Sequence, residues 1–566
     1  MPNVVVPGNF RAAPPHVALG RDMIGPAPPE PLRALTVPSL LDRTVAAFAD
    51  RPALSFQGRK WSYAQLAAQV ERATAGLQQL GLRQGDRIGL CLPNTPYFVI
   101  FYYAALKAGL VVVNYNPLYV ARELRQQIED SNTTTMVVPD LAAIHDKVVA
   151  IESLTRIIVC PFAAALPKAK RMAFSLLKRG MLARPAYGER LVAYSRVVVD
   201  GAAPQPVAID PGDIAVLQYT GGTTGRPKGA MLTHANLSIN AQQTTHHMPS
   251  MRPGEERMMS VLPFFHVYAM TSVLNGGISM GCELILHPRF EIGAMMTSLV
   301  RDRPTIMHAV PTIYNAIATA AERNRVDISS LRVCVSGGAP LPAEVRERFQ
   351  RLTGCRVIEG YGLTEASPAV TSNPPDGTIR PDSVGIVLQD TAVEIRALDD
   401  INRILPCGDR GEICVRGPQV MQGYLNRPEE TAASFIDGAL RTGDVGYLDV
   451  DGYLFVTDRI KDLIICSGYN VYPRIIEDAL YEHPAVAEAI VIAIPDAYRG
   501  QAPMAFVTLR EGELRSGDEL RDFLRDKLSA IEMPVWVEIR TSLPKTVIGK
   551  LSRKELIAEV AAAKPV

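Results

Sequence analysis

The chain has 566 residues, 47% of them hydrophobic and 21% charged, a globular composition long enough for about three or four domain-sized units. A formal net charge of +1 excludes bulk electrostatic capture of nucleic acid, so no nucleic-acid partner is expected. Eight cysteines without a C-x-x-C pair exclude a zinc ribbon and a disulfide framework, leaving reduced thiols in a cytosolic protein as the plain reading.

Residues 1–38 are rich in proline and carry no apolar h-region, so they read as an extended arm rather than a secretory signal. Trp61 to Leu80 has helical apolar spacing and ends at Gly81. Arg87–Leu92 predicts a strand and Pro96–Ala108 a helix, followed by a strand over Leu110–Val113. The best candidate for a membrane span, Tyr97–Val113, is short and broken by Lys107 and Gly109, so no span is expected. Met136–Val138 and Ile157–Val159 predict buried strands, and Ile214–Tyr219 another. Leu331–Ser336 predicts a strand and Pro342–Leu352 a helix. Between Ala392 and Arg416 the pattern changes to short alternating strands with turns at Gly408 and Gly411, a small β-subdomain. A last α/β unit begins near Asp458. Alternating helices and strands argue for stacked α/β layers.

The strand Ile214–Tyr219 feeds the run Thr220-Gly221-Gly222-Thr223-Thr224-Gly225-Arg226-Pro227-Lys228-Gly229. Glycines bring bare N–H groups against an anion, hydroxyls add donors, and Arg226 and Lys228 add charge, so the loop expects a polyphosphate. It is not a Walker A loop, because glycine follows Lys228 and the spacing before it differs. Glu359-Gly360-Tyr361-Gly362-Leu363-Thr364-Glu365 sets an aromatic ring between glycines, followed by a hydroxyl and a carboxylate. A hard dication would accept one such carboxylate together with phosphate oxygens and waters. The turn Thr442-Gly443-Asp444 suits a ribose diol, although such turns are common by themselves.

These motifs closely resemble the signatures of the adenylate-forming enzymes: acyl- and aryl-CoA synthetases, luciferases and peptide-synthetase adenylation domains. Family-like segments run from about Trp61 to Arg553, nearly the whole chain. The commonest signature has serine where this chain has Gly221, and the glycine variant is similar to the long-chain fatty acyl-CoA synthetase branch. The resemblance implies an α/β fold: a large N-terminal domain over 39–458, binding ATP and the acyl group, and a small mobile α+β C-terminal domain over 459–566. It places Tyr361 beside adenine, Thr364 near the α-phosphate, Glu365 on Mg²⁺, and Asp444 and Arg459 on ribose. Thr220, Gly221, Gly222, Thr223, Thr224, Gly225, Lys228, Glu359, Gly360 and Gly362 complete the nucleotide site. Gly338 and Ala339 form another wall of that pocket. Gly337, His266 and Gly468 line the acyl or CoA tunnel, and Lys461 is the hinge. Asn470 stands where short-chain members carry a phosphate-touching arginine, leaving more of the clamping to Arg459 and Lys228.

Near the end, Lys545-Thr546-Val547-Ile548-Gly549-Lys550 presents a lysine on a glycine turn. By resemblance Lys550 is the catalytic lysine, while Lys545 and Lys554 are solvated. A carboxylate approaching an α-phosphate meets repulsion of about 4 kcal/mol per charge pair at 4 Å with an effective dielectric of 20, and a bridging cation removes it. Without the resemblance nothing in the spacing singles out Lys550.

The remaining candidates are weaker. His234 reads as a helix-start residue, and a lone His266 beside aromatics is as often a satisfied core histidine. No H-x-x-x-H pair occurs, and neither a zinc enzyme nor a serine hydrolase is expected. Within 161–195, the cations Lys168, Lys170, Arg171, Lys178, Arg179 and Arg184 interleave with Met172, Phe174, Leu176, Leu177, Met181 and Leu182. Such a basic amphipathic segment either lies on a membrane or presents a solvated face over a core stripe. The expected activity is fatty acid–CoA ligation with ATP, Mg²⁺ and CoA. Loading of a carrier protein, aryl-CoA ligation, luciferase-like oxidation and non-catalytic sensing are the other readings. The expected location is cytoplasmic, with the inner membrane face left open, as is a homodimer.

Overall fold

The computed structural model describes residues 18–19, 30–220, 227–467, 469–496, 498–546 and 550–562. The chain divides into two compact units. The larger comprises Pro29–Ile379 with Pro418–Ala433, and the smaller contains Arg380–Gly417 and Ser434–Val566.

The larger unit is built on two sheets flanked by helices. The first is eight-stranded, in the spatial order Gly423–Tyr424, Lys228–Thr233, Ile214–Thr220, Val111–Asn114, Arg87–Leu90, Thr135–Pro139, Arg156–Cys160, Leu191–Ala193. Its inner strands run parallel and are almost wholly buried, which is why they appear in the sequence as continuous apolar runs. In the second sheet Ala369–Ser372, Val357–Gly362, Val333–Gly337, Ile306–Ala309, Arg257–Ser260, Glu283–Leu286, Pro52–Phe56 and Arg59–Ser62 follow one another. The helix Pro96–Lys107 is buried at every position from Pro96 to Leu106, as a helix apolar on all sides must be. Among the described residues no helix is long and apolar enough to cross a membrane.

Several expected boundaries move, the strand expected from Leu331 beginning at Val333. The helix predicted from Trp61 begins at Tyr63, because Ser62 and Gln65 form a capping box (Gln65 N to Ser62 Oγ 3.2 Å, Ser62 N to Gln65 Oε1 3.1 Å). Trp61 instead belongs to the strand Arg59–Ser62, with the Arg59 guanidinium 4.5 Å above its ring. Gly411, expected as a turn, opens the strand Gly411–Arg416.

The smaller unit contains a six-stranded sheet and a five-stranded sheet. In the first, Ala392–Arg396, Gly411–Arg416 and Ala439–Leu448 are successive antiparallel neighbours, and Leu454–Arg459 pairs with Ala439–Leu448. The second centres on the long hairpin Val486–Asp496 and Gly500–Leu509, with Trp536–Arg540 parallel to Gly500–Leu509. The helix Pro473–Tyr481 packs Ile476, Ala479 and Leu480 into that core.

Candidate functional site

The strands Ile214–Thr220 and Lys228–Thr233 form an antiparallel hairpin in which Thr220 stands opposite Lys228. This fixes both ends of the glycine-threonine loop. Gly221, Gly222, Thr223, Thr224 and Gly225 themselves lie outside the described residues, as do Arg226, Gly468 and Gly549. Below the hairpin, Tyr219 donates its hydroxyl to Asp130 Oδ2 at 2.7 Å, and Arg427 Nη2 holds Oδ1 of the same carboxylate at 2.7 Å. That network fastens the loop's base to the helix Ala121–Ser131.

In the second sheet, the strand Val357–Gly362 carries Glu359, Gly360, Tyr361 and Gly362, and a short 3₁₀ turn, Thr364–Ala366, presents Thr364 and Glu365. Gly362 is required by close approach, since a Cβ there would stand 2.0 Å from the Pro368 carbonyl oxygen. The Glu359 carboxylate serves the protein itself: Oε1 accepts the Leu341 amide at 2.9 Å, and Arg346 lies 3.6 Å from Oε2. It thereby anchors the loop that follows Gly337, Gly338 and Ala339. A Cβ at Gly337 would meet the Tyr268 ring at 3.1 Å, so Tyr268 covers this wall. The Tyr268 hydroxyl lies 3.3 Å from His308 Nδ1, whose pKa burial pushes down to about 4. Half-buried His266 accepts the Tyr268 amide on Nδ1 at 3.3 Å, so the two residues share one turn. His234 is the first residue of the helix His234–His246, as expected, and its Nδ1 accepts the Val37 amide at 3.1 Å inside the core.

Glu365 accepts the Tyr424 hydroxyl on Oε1 at 2.7 Å, and its backbone carbonyl accepts the Met421 amide at 2.8 Å. Among the described residues Oε2 accepts no hydrogen bond, and no cluster of three or more His, Cys, Asp or Glu could hold a metal alone. A single half-buried carboxylate with a spare oxygen fits a hard dication whose other ligands are phosphate oxygens and water.

In the smaller unit, Thr442, Gly443 and Asp444, expected as a turn, lie within the strand Ala439–Leu448 at an irregularity in its pairing with Gly411–Arg416. Gly443 has φ +70°, the Thr442 hydroxyl donates to the Ile413 carbonyl at 2.8 Å, and the Asp444 amide donates back to Thr442 Oγ1 at 3.0 Å. Asp444 is buried and pairs with Arg459 across the ladder, Nε to Oδ1 3.2 Å. Lys461 follows in the turn Ile460–Asp462, its pKa lowered by burial first and by Arg459 second. Asp458 is pushed up to about 6 by burial, while its carboxylate accepts the amides of Arg459 and Arg474.

Lys550 feels both members of the Asp444–Arg459 pair. Its pKa is lowered to about 8, by burial first and by Arg459 second, with Asp444 opposing them. Its amide donates to Thr546 Oγ1 at 3.1 Å and its carbonyl accepts the Thr546 amide at 2.7 Å. Lys545 instead pairs with Glu488 at 2.6 Å, and Lys554 is exposed. The sequence reading did not single out Arg553, which bonds Glu477 at 2.6 Å, Asp462 at 3.2 Å and the Val491 carbonyl at 2.9 Å. It also missed Tyr424. Both act through partners distant in the chain, so no local pattern signals them.

Within 161–195 the helix Lys168–Leu177 has no buried residue. Phe174 packs on Phe162 with ring centres 5.4 Å apart, whereas Met172, Leu176 and Leu177 are 66%, 73% and 82% exposed. The core stripe offered as one alternative is therefore absent.

Comparison with known proteins agrees over the same span. The AMP-binding enzyme family matches residues 41–425, and the AMP-binding enzyme C-terminal domain matches 475–550. A long-chain-fatty-acid–CoA ligase of Bacillus subtilis (strain 168) is 39% identical over 537 residues, covering 94% of this chain and 95% of the relative. A feruloyl-CoA synthase of an Amycolatopsis species is 35% identical over 502 residues, covering 88% and 94%. The solved structure of ATP-bound MatB from Rhodopseudomonas palustris superposes with TM-score 0.79 at 28% identity, covering 94% of this chain and 99% of that one.

Proposed function

Because this chain belongs to the AMP-binding enzyme family, we propose that it is a fatty acid–CoA ligase that activates a medium- to long-chain acid with ATP and transfers it to CoA. The observation that carries the reading is Lys550 beside the Asp444–Arg459 pair. Residues far apart in the chain thereby share one electrostatic environment, of a kind suited to a ribose and an α-phosphate.

In the adenylation step the acid's carboxylate oxygen attacks the α-phosphorus and pyrophosphate leaves, giving acyl-AMP. Thr220, Lys228 and the loop between them receive the phosphates, with Thr364 near the α-phosphate. Tyr361 stacks on adenine beside the wall of Gly338 and Ala339, and Asp444 and Arg459 hold the ribose. Protonated Lys550 bridges the two anions, which cancels their repulsion and stabilises the charge that develops between them. Glu365 would hold Mg²⁺, which when bound neutralises phosphate charge. In the second step the CoA thiol attacks the acyl carbonyl and AMP departs. A pivot at Lys461, turning residues 459–566, would withdraw Lys550 before the thiol enters past Gly468. That exchange resolves a geometric conflict, since water must be excluded first and a thiol admitted later.

Tyr268, Gly337 and His266 would line the acyl channel. Each buried methylene contributes about 0.8 kcal/mol, so preference among chain lengths is graded. The feruloyl-CoA synthase relative keeps an aryl acid as the second reading, and carrier-protein loading as the third. Pyrophosphate release from a panel of aliphatic and aromatic acids, with and without CoA, tests all three. Release without thioester formation on free CoA favours a carrier protein, and no release with any acid refutes the proposal.

The exposed apolar residues of Lys168–Leu177, set among cations, support peripheral contact of this cytoplasmic enzyme with an anionic membrane face. Changing Lys168, Lys170, Arg171, Lys178 and Arg179 to glutamate should abolish co-sedimentation with anionic liposomes. Unchanged sedimentation overturns the contact.

A further inference from the structure

Tyr424 touches two charged groups of the larger unit that would serve a nucleotide. Its hydroxyl donates to Glu365 Oε1 at 2.7 Å, and the Lys228 ammonium lies 5.2 Å from its ring centre. The residue is firmly seated. Tyr424 pairs with Ala230 in the sheet, the Gln422 amide donates to the Met231 carbonyl at 3.0 Å, and the Leu425 amide donates to the Gly229 carbonyl at 2.8 Å. The Tyr424 amide donates to Thr431 Oγ1 at 2.9 Å.

This arrangement solves a charge problem. A lysine and a glutamate reaching towards one spot would close into an ion pair, and each would then be spent on the other. A tyrosine between them satisfies both at low cost: the ring face attracts the ammonium, and the hydroxyl supplies the carboxylate with a neutral donor. Glu365 therefore keeps its negative charge and its second oxygen for a cation, and Lys228 keeps its charge for phosphate.

We propose that Tyr424 is a positioning residue that holds the Glu365 carboxylate and the Lys228 ammonium apart, one aimed at the metal and the other at the phosphates of bound ATP. The proposal rests on the ligase reading for the identity of the ligand, and its test is separable from that reading. Mn²⁺ is titrated into the full-length protein saturated with α,β-methylene-ATP, and free Mn²⁺ is read by electron paramagnetic resonance. Removing an outer-shell partner of this kind weakens metal affinity by about 10–100-fold. Tyr424→Phe, which keeps the spacer and loses the donor, is expected near the lower end of that range. Tyr424→Ala, which lets the charges close on each other, is expected near the upper end, with nucleotide affinity falling as well. In turnover, the Mg²⁺ concentration for half-maximal rate should rise about tenfold in Tyr424→Phe while the rate at saturating Mg²⁺ falls far less. Mn²⁺ affinity equal to wild type in both variants overturns the proposal, whatever happens to their melting temperatures. So does a loss of rate in Tyr424→Phe that saturating Mg²⁺ does not restore. If the wild type forms no adenylate with any acid, the ligase reading fails, and the Mn²⁺ affinities still decide the role of Tyr424.

Discussion

In the larger unit, Lys228 and Glu365 meet across a neutral tyrosine, whereas in the smaller unit Lys550 shares its surroundings directly with Arg459 and Asp444. The first arrangement fixes charges by geometry, with hydrogen bonds and sheet pairing holding each group in place. The second tunes a charge through its neighbours, so that its lysine titrates near the pH at which an enzyme works. A group that must stay put and a group that must bridge two anions and then leave call for different control. Pre-set polar contacts suit the former, and a half-buried cation with compensating neighbours suits the latter.

The comparison breaks first at Lys550. Lys550→Ala should slow adenylation about a hundred- to a thousandfold, the usual loss for a pre-organised charge donor, while thioester formation from supplied acyl-AMP stays within a few-fold. Single-turnover assays of each half-reaction check this, and equal losses in both would contradict a lysine that acts only in the first. Gly362→Ala probes the rigid side. A Cβ placed 2.0 Å from the Pro368 carbonyl oxygen forces the backbone to move, so the protein should lose about 1–3 kcal/mol in denaturant unfolding. An unaltered midpoint would show that the turn bearing Thr364 and Glu365 yields easily.

The electrostatic side is sharpened by pH. Lys550 is a cation below its pKa of about 8 and neutral above it, so kcat/KM for adenylation should fall as pH rises through about 8. Asp444 raises that pKa and Arg459 lowers it. Asp444→Asn should therefore move the alkaline limb to lower pH, and Arg459→Gln should move it to higher pH. Shifts in the same direction would mean that another group sets the limb. The smallest effect is expected at Lys545, which is already paired with Glu488: Lys545→Ala should change adenylation by less than about threefold, consistent with the modest worth of exposed ion pairs.

Much of the fold was legible because burial leaves its mark on local sequence. Val111–Asn114, Thr135–Pro139 and Arg156–Cys160 are apolar runs because both faces of their sheet are covered. Helix and strand ends were less legible where a capping box decided them, as at Ser62. The candidate site was legible where a motif concentrates donors, and much less so elsewhere. Lys550 was singled out by family resemblance alone, and the hydrogen bond of Glu359 to the Leu341 amide could not be read from its motif. The segment 168–177 was ambiguous in the sequence, because a period of apolar residues does not say whether anything covers it.

By itself, then, the sequence determined the layered α/β class, the donor-rich loop after Thr220, and which residue types were available to meet phosphate, ribose and metal. Those properties follow from local composition and periodicity, which a linear reading contains. Tertiary structure decided which of those groups control one another: Tyr424 with Glu365, 59 positions apart, Arg553 with Glu477, 76 apart, and Lys550 with Asp444. Such pairings depend on strand order and on burial, which raise or lower the energy of a charge only after the chain has closed around it.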